Sequence, residues 1–305
     1  MKRLVIIVFS FLILISCSSQ NKNIDLQIIP QPQKVTYNKG ELELLNKNFS
    51  FLFDSIDPQI INPLRSEFDR SLKFYDSKIS EHVDSNIIVK IRRLSKNKIK
   101  ELNLKKKDKQ LFVEEGYQLS VEADTIDISA VSETGAFYGL QTLKQLLITY
   151  RVKGKLPLME IVDYPEMKFR ALMDDISRGP IPNMKYMKYQ IRRLSELKYN
   201  YLTYYIEHVV KTKSHPEFAP DDALTIDEIK ELSAYAKKYH IILIGNFQSF
   251  GHFENILSIP KYAYLGERGK LLSPAKEESY KFLADIYSEL IPAFDSPMFI
   301  VNCDE

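Results

Sequence analysis

The sequence predicts an α/β protein in two parts, an α+β region followed by a region of repeated strand, loop and helix. Three observations carry this. From Phe169 onward, apolar β-branched runs alternate with stretches of helical periodicity, which implies a parallel sheet, either a barrel or a doubly wound fold. Before that point strands and helices also alternate, and the two parts divide near Val162-Asp163-Tyr164-Pro165, where a strand-like run meets a proline. The last run, Met298 to Val301, leads directly into two adjacent acids, Asp304 and Glu305. Paired acids after a buried strand are how α/β barrels mount catalytic groups on their C-terminal rim, although a plain polar turn has the same spelling.

Residues 1–17 stand outside the fold. Lys2 and Arg3 precede an apolar run from Leu4 to Ile15, too short for an ordinary spanning helix and flanked like a secretory signal. It ends Leu14-Ile15-Ser16-Cys17, which resembles a bacterial lipobox. That resemblance implies cleavage before Cys17, a lipid on its thiol, and a place in the cell envelope on a membrane side that stays open. A plain signal peptide with an incidental cysteine is the alternative.

Composition excludes several classes. The 2 cysteines, Cys17 and Cys303, provide neither a disulfide framework nor a thiolate metal site. Without Lys2 and Arg3 the 42 basic residues become 40, equal to the 40 acidic ones, so no whole-domain charge favours nucleic acid. The basic stretch Lys90 to Lys109 reads as a solvated surface hairpin or loop, its Lys105-Lys106-Lys107 run lacking interleaved aromatics. His208 and His215 have no evident third ligand, and no glycine-rich nucleotide loop follows a strand, so neither metal nor dinucleotide cofactor is expected.

Within residues 24–162, Ile28 to Val35 carries two prolines and suits an edge strand or extended segment. Ile60, Ile61, Leu64, Phe68 and Leu72 have helical spacing within Pro58 to Tyr75. Ile87 to Ile91 reads as a strand, and Tyr117 to Val121 with Thr125 to Ala130 as a hairpin. Ser132 is a candidate cap for a helix reaching Leu147, whose Gly135, Ala136 and Gly139 let it lie close to a sheet.

In the second part, strands are expected at Phe169 to Asp175, Tyr201 to Ile206, Ile241 to Phe247 and Met298 to Val301. Helices are expected from Met184 to Leu197, from the Thr225 cap to about Lys238, and from Ser273 or Pro274 to Leu290. Each strand ends in polar groups: Asp174, Asp175 and Arg178; Glu207 and His208; Gln248 to His252; Asp304 and Glu305. In a parallel sheet these converge on one rim.

Two stretches carry a family resemblance. Glu115 to Leu119 with Gly135 to Leu143 resembles the N-terminal domain of family 20 glycoside hydrolases, the β-N-acetylhexosaminidases. Phe169 to Arg178 resembles that family's first barrel strand, Phe250-Gly251-His252 its Pro-Gly-His turn, and Asp304-Glu305 the end of its His-x-Gly-Gly-Asp-Glu motif. The resemblance implies an N-terminal α+β domain followed, over residues 165–305, by the first half of a TIM (β/α)8 barrel. It implies Glu305 as proton donor and Asp304 as the group orienting the substrate's 2-acetamido nitrogen. It implies Arg170 and Asp175 as sugar-binding, and Glu207 and His252 as a supporting chain to Glu305. The implied partner is a glycan ending in N-acetylhexosamine; the membrane is met through the lipid alone, and no nucleic acid is involved. Ala171, Phe250, Ile300, Asn302 and Cys303 depart from the pattern. A barrel takes about 250 residues, so a chain with only four such strands and no tryptophan is expected to be a fragment or truncated frame, inactive alone. A degenerate sugar-binding envelope lipoprotein is the alternative function.

Overall fold

The computed structural model describes residues 27–80 and 86–304. The signal segment, Cys17 and Glu305 lie outside the described residues.

The first domain is a six-stranded mixed sheet. Its strands are Lys34–Glu43, Phe49–Asp54, Ile87–Arg93, Tyr117–Val121, Thr125–Ala130 and Lys155–Asp163. In space they run first, sixth, fourth, fifth, third, second. The hairpin expected from the alternation at Tyr117 to Ala130 is present as an antiparallel pair. Lys34–Glu43 is an edge strand, but it begins after the prolines and reaches eight residues past Val35. Pro30 and Pro32 have no N–H to give a ladder, so pairing begins only beyond them. Phe49–Asp54 was not evident from the sequence.

The basic stretch is not a loop. After the strand ends at Arg93 it forms two helices, Lys96–Glu101 and Lys106–Glu115. Leu94, Ile99 and Phe112 bury together beneath them, with Leu102 and Leu104 alongside. Lysine is a good helix former, so a few apolar anchors suffice to hold a helix whose outer face is charged.

The second domain is a four-stranded, all-parallel sheet of Ala171–Asp175, Tyr201–Tyr205, Ile242–Gln248 and Phe299–Asn302. The strands neighbour one another in chain order. A doubly wound sheet reverses its order at a switch point; this one does not, so it is the arc of a barrel. The helices Met184–Glu196, Ile226–Lys238 and Glu277–Leu290 are the crossovers. Thr225 and Glu228 cap the second reciprocally. The third starts at Glu277, with Ser273 and Pro274 in the preceding turn.

The helix Glu133–Thr149 lies between the domains and is buried over 13 residues from Gly135 to Leu147. Ser132 caps it, accepting from Gly135 N–H at 2.9 Å. A Cβ at Gly139 would stand 2.5 Å from the Ile128 Cγ2, which is why the helix needs glycine where it crosses the sheet. Its other face meets the barrel half: Gln141 Nε2 donates to Ser195 Oγ at 3.0 Å, and Phe137 stacks 4.4 Å from the His240 ring.

Two nearly buried ion pairs pin the same junction. Lys198 Nζ donates to Asp163 Oδ2 at 2.6 Å and to Tyr117 OH at 2.9 Å, with both charged side chains under a tenth exposed. Arg170 pairs with Glu115 and donates to the carbonyls of Lys198 at 2.6 Å and Met167 at 2.8 Å. Asn200 completes the cluster by donating to Glu115 Oε1 at 3.0 Å. Removing one partner strands the other charge in a dry place, at about 3–5 kcal/mol. Arg170→Ala is therefore expected to lower unfolding stability in urea by about 3–5 kcal/mol. The double variant Arg170→Met, Glu115→Gln should recover most of that loss. A single variant as stable as the parent would refute the role.

Candidate active site

Alternation along the barrel strands sorts their side chains into two faces. Tyr204 OH donates to Gln190 Oε1 on the first crossover helix at 2.9 Å, and Phe247 and Phe299 both contact Tyr287 on the third. These residues face the helices. Thr203, Tyr205, Asn246, Gln248, Asn302 and Asp304, of opposite parity, face the barrel interior. Among them Thr203, Tyr205, Asn246 and Gln248 are buried. Thr203 Oγ1 and both amide atoms of Asn246 have no hydrogen-bond partner among the described residues.

At the C-terminal ends of the strands the polar groups come together. Asp175 closes the first strand and accepts from Ser177 N–H at 2.9 Å and from Arg178 Nε at 2.5 Å. The Arg178 guanidinium lies 5.1 Å from the Tyr205 ring centre. Ser177 Oγ bridges to the second strand, donating to Tyr205 O at 3.2 Å and accepting from Glu207 N–H at 2.9 Å. Gln248 Nε2 donates to Tyr205 OH at 3.3 Å and to Asp304 O at 3.2 Å, tying the second, third and fourth strand ends together. Gly251 N–H donates to Asp304 O at 2.9 Å, so the turn after the third strand holds the backbone on which the acid pair sits.

Glu207 is 5% exposed, and its Oε1 has no hydrogen-bond partner among the described residues. Burial pushes its carboxyl above the usual range; the Tyr205 hydroxyl, His252 and Arg178 act against that, and Asp175 reinforces it. The Tyr205 phenol is raised by burial and then by the Glu207 charge.

The structure brings Asp175, Glu207, His252 and Asp304 to one rim. His252 Nε2 stands 3.6 Å from Asp304 Oδ2, on a residue with φ of 55°. The described partner of His252 is thus Asp304; the chain expected from Glu207 through His252 to Glu305 ends on a residue outside the described set. Arg170 is a correction. It precedes the first strand, at the N-terminal end of the sheet opposite the rim, where Glu115 and two carbonyls occupy its guanidinium. The arginine that does reach the rim is Arg178, three residues after Asp175. Counting along an extended strand separates the two, since Arg170 and Arg178 lie at opposite ends of it. Tyr205 and Gln248 were also missed as linking groups, although their place on the inward parity follows from period two.

His208 and His215 are apart from each other in their contacts. His208 Nδ1 meets Asn255 Nδ2 at 3.2 Å, while His215 lies 3.3 Å from Asp285 Oδ2. Among the described residues no three His, Cys, Asp or Glu side chains converge to hold a metal ion.

Residues 25–164 match the sequence profile described as glycosyl hydrolase family 20, domain 2. Over 321 residues the chain is 27% identical to beta-hexosaminidase subunit A2 of Dictyostelium discoideum, covering 99% of this chain and 57% of that protein. It is 23% identical over 227 residues to the beta-hexosaminidase of Porphyromonas gingivalis, covering 63% of this chain and 29% of the relative. The chain thus spans little more than half of the first relative and less of the second. Among solved structures it is similar to a Flavobacterium johnsoniae chitobiase, with TM-score 0.71 and 24% identity over 92% of this chain and 45% of that one. It is also similar to a mutant Streptomyces plicatus beta-hexosaminidase in complex with its product GlcNAc, with TM-score 0.73 and 21% identity over 90% of this chain and 58% of that one. These two share the fold. The chain is thus similar to glycoside hydrolase family 20 over its first domain and to a beta-hexosaminidase along nearly its whole length.

Proposed function

We propose that the complete protein removes terminal non-reducing N-acetylhexosamine residues from glycans by a substrate-assisted, retaining mechanism. The observation that carries this is the rim itself: Asp175 with Arg178, buried Glu207, His252 and Asp304 lie around the C-terminal ends of consecutive parallel strands. That is where barrel enzymes place their chemistry. Glycoside cleavage needs a proton donor at the leaving oxygen, and Glu305 is the residue assigned to it. The substrate's acetamido oxygen attacks the anomeric carbon as the glycosidic bond breaks; Asp304 accepts from the acetamido N–H and stabilises the positive charge that develops there. Water then opens the ring-closed intermediate with Glu305 as base. Paired Asp175 and Arg178 supply an acceptor and a charged donor suited to sugar hydroxyls.

Glu305→Gln in the complete protein is expected to slow substrates with poor leaving groups far more than an activated aryl glycoside. Asp304→Asn should slow both, because ring closure is needed whatever departs. Comparing kcat/KM for both substrates separates the roles. Equal impairment of the Glu305 variant on both, or an Asp304 variant near the parent, would sink the assignment.

Glu207 gives a pH signature. Its folded carboxyl is raised by burial, so the folded state favours the protonated form. Stability from this group is therefore full below the ordinary carboxylate range and is lost as pH rises through its raised value. Glu207→Gln should raise the Tm at neutral pH, with the gain shrinking toward about pH 4. A gain independent of pH would contradict the charge argument.

We further propose that Cys17 carries a lipid and holds the protein on the cell envelope, as the Leu14 to Cys17 spelling supports. Among the described residues no helix is long and apolar enough to cross a membrane. Labelled fatty acid should enter the parent in cells and not Cys17→Ser; equal labelling of both would remove the idea.

A further inference from the structure

Charge is balanced over the chain but not over its surface. A cleft of about 500 Å³ lies where the first domain meets the barrel crossover helices. Its walls carry Arg70, Lys144, Arg151, Arg192 and Arg193 against only Glu67 and Glu196. Both carboxylates are already engaged. Glu67 accepts from Lys144 at 2.5 Å, and Glu196 from Arg193 at 2.5 Å with Lys144 3.6 Å away. Arg192 shares Glu67 only at 4.0 Å and donates to Tyr235 OH at 2.9 Å. No ion pair among the described residues engages Arg70 or Arg151; Arg151 lies over the Phe74 ring at 5.5 Å.

Aromatic rings run through the same surface. Tyr189, half-exposed, stands 5.9 Å from the Arg192 guanidinium and 6.3 Å from the ring of Tyr186, which continues the tract along the helix. Tyr235 and Tyr239 pack 5.0 Å apart at the other side. Guanidinium groups recognise carboxylate and sulfate in a planar, bidentate way, and they do so best where no resident acid already fills them. Exposed tyrosine faces offer flat contact area at low entropic cost, with a hydroxyl at the edge. Free phosphate needs only the first of these features, whereas an acidic sugar uses both.

We propose that this cleft binds acidic oligosaccharide, with uronate or sulfate groups on Arg70, Arg151 and Arg192 and sugar rings against Tyr189 and Tyr186. The proposal rests on the reading of the protein as glycan-active and adds to it a second, non-catalytic carbohydrate site on the outer face of the crossover helices, away from the strand-end rim. Such a site would retain a charged polymer while its chain ends are processed elsewhere on the molecule.

Titration calorimetry on the purified protein tests it, with a fully sulfated heparin tetrasaccharide and neutral chitotetraose as probes at ~0.15 M salt. The sulfated probe is expected to bind at least about tenfold more tightly, and Arg70→Ala with Arg151→Ala to weaken it about tenfold. Both substituted side chains lie at the surface, and circular dichroism checks that the double variant is folded. Tyr189→Ala should weaken the tetrasaccharide while leaving competition by inorganic sulfate unchanged. Changing Lys105, Lys106 and Lys107 together to alanine should have no effect. Absence of binding, a double variant equal to the parent, or loss of binding in the triple lysine variant would each overturn the proposal. So would tight binding to phosphatidylglycerol vesicles with none to the tetrasaccharide, which would make the cleft a membrane contact. Binding is read without turnover, so a protein that binds but does not hydrolyse would count against the proposed enzyme activity alone.

Discussion

The helix Glu133–Thr149 is the constraint on which the rest of the molecule depends. It has no free face. One side crosses the first sheet so closely that only glycine fits at Gly135 and Gly139, and the other side receives Ser195 and His240 from the barrel half. A helix buried all round has to find partners on both sides before its apolar residues leave water. The two domains are therefore one packed body at this seam. The polar groups there must be paired: Lys198 with Asp163 and Arg170 with Glu115, each pair drawing its members from either side of the junction.

From that seam the parallel arc rises in one direction. Its N-terminal end is occupied by structural ion pairs, and its C-terminal end collects the groups that chemistry would use. The division is the usual one for barrels, whose lower face serves stability and whose upper face serves function. Arg170 shows how sharply the division cuts. It stands only five residues before Asp175 in sequence, yet the two lie at opposite ends of an extended strand and meet different partners. The rim itself is held by backbone and amide contacts: Gln248 reaches both Tyr205 and Asp304, and Gly251 holds the Asp304 carbonyl. Such contacts fix the backbone from which the acid projects before any ligand arrives.

Much of this was legible in the chain. Apolar periodicity located the four barrel strands and the three crossover helices to within a few residues, because in both element types the buried side sets the spelling. Caps at Ser132 and Thr225 were legible because an orphan N–H needs a short polar acceptor in sequence beside it. The polar strand ends Asp175, Glu207, His252 and Asp304 could be read as one rim once the strands were taken as parallel.

Tertiary structure decided what depends on partners distant in sequence. The basic helices Lys96–Glu101 and Lys106–Glu115 were hidden, since the contacts that hold them come from Leu94 and Phe112 closing on each other across the charged surface. Barrel arc rather than doubly wound sheet was settled by strand order, which periodicity does not encode. The place of Arg170 was settled by Glu115, 55 residues away, and the excess charge of the interdomain cleft by helices from both domains. The sequence by itself determined which residues are charged, where the caps fall and which faces of the barrel strands and crossover helices are apolar. Only the fold determined which charges meet, because an ion pair is fixed by position in space and a strand end by position along the chain.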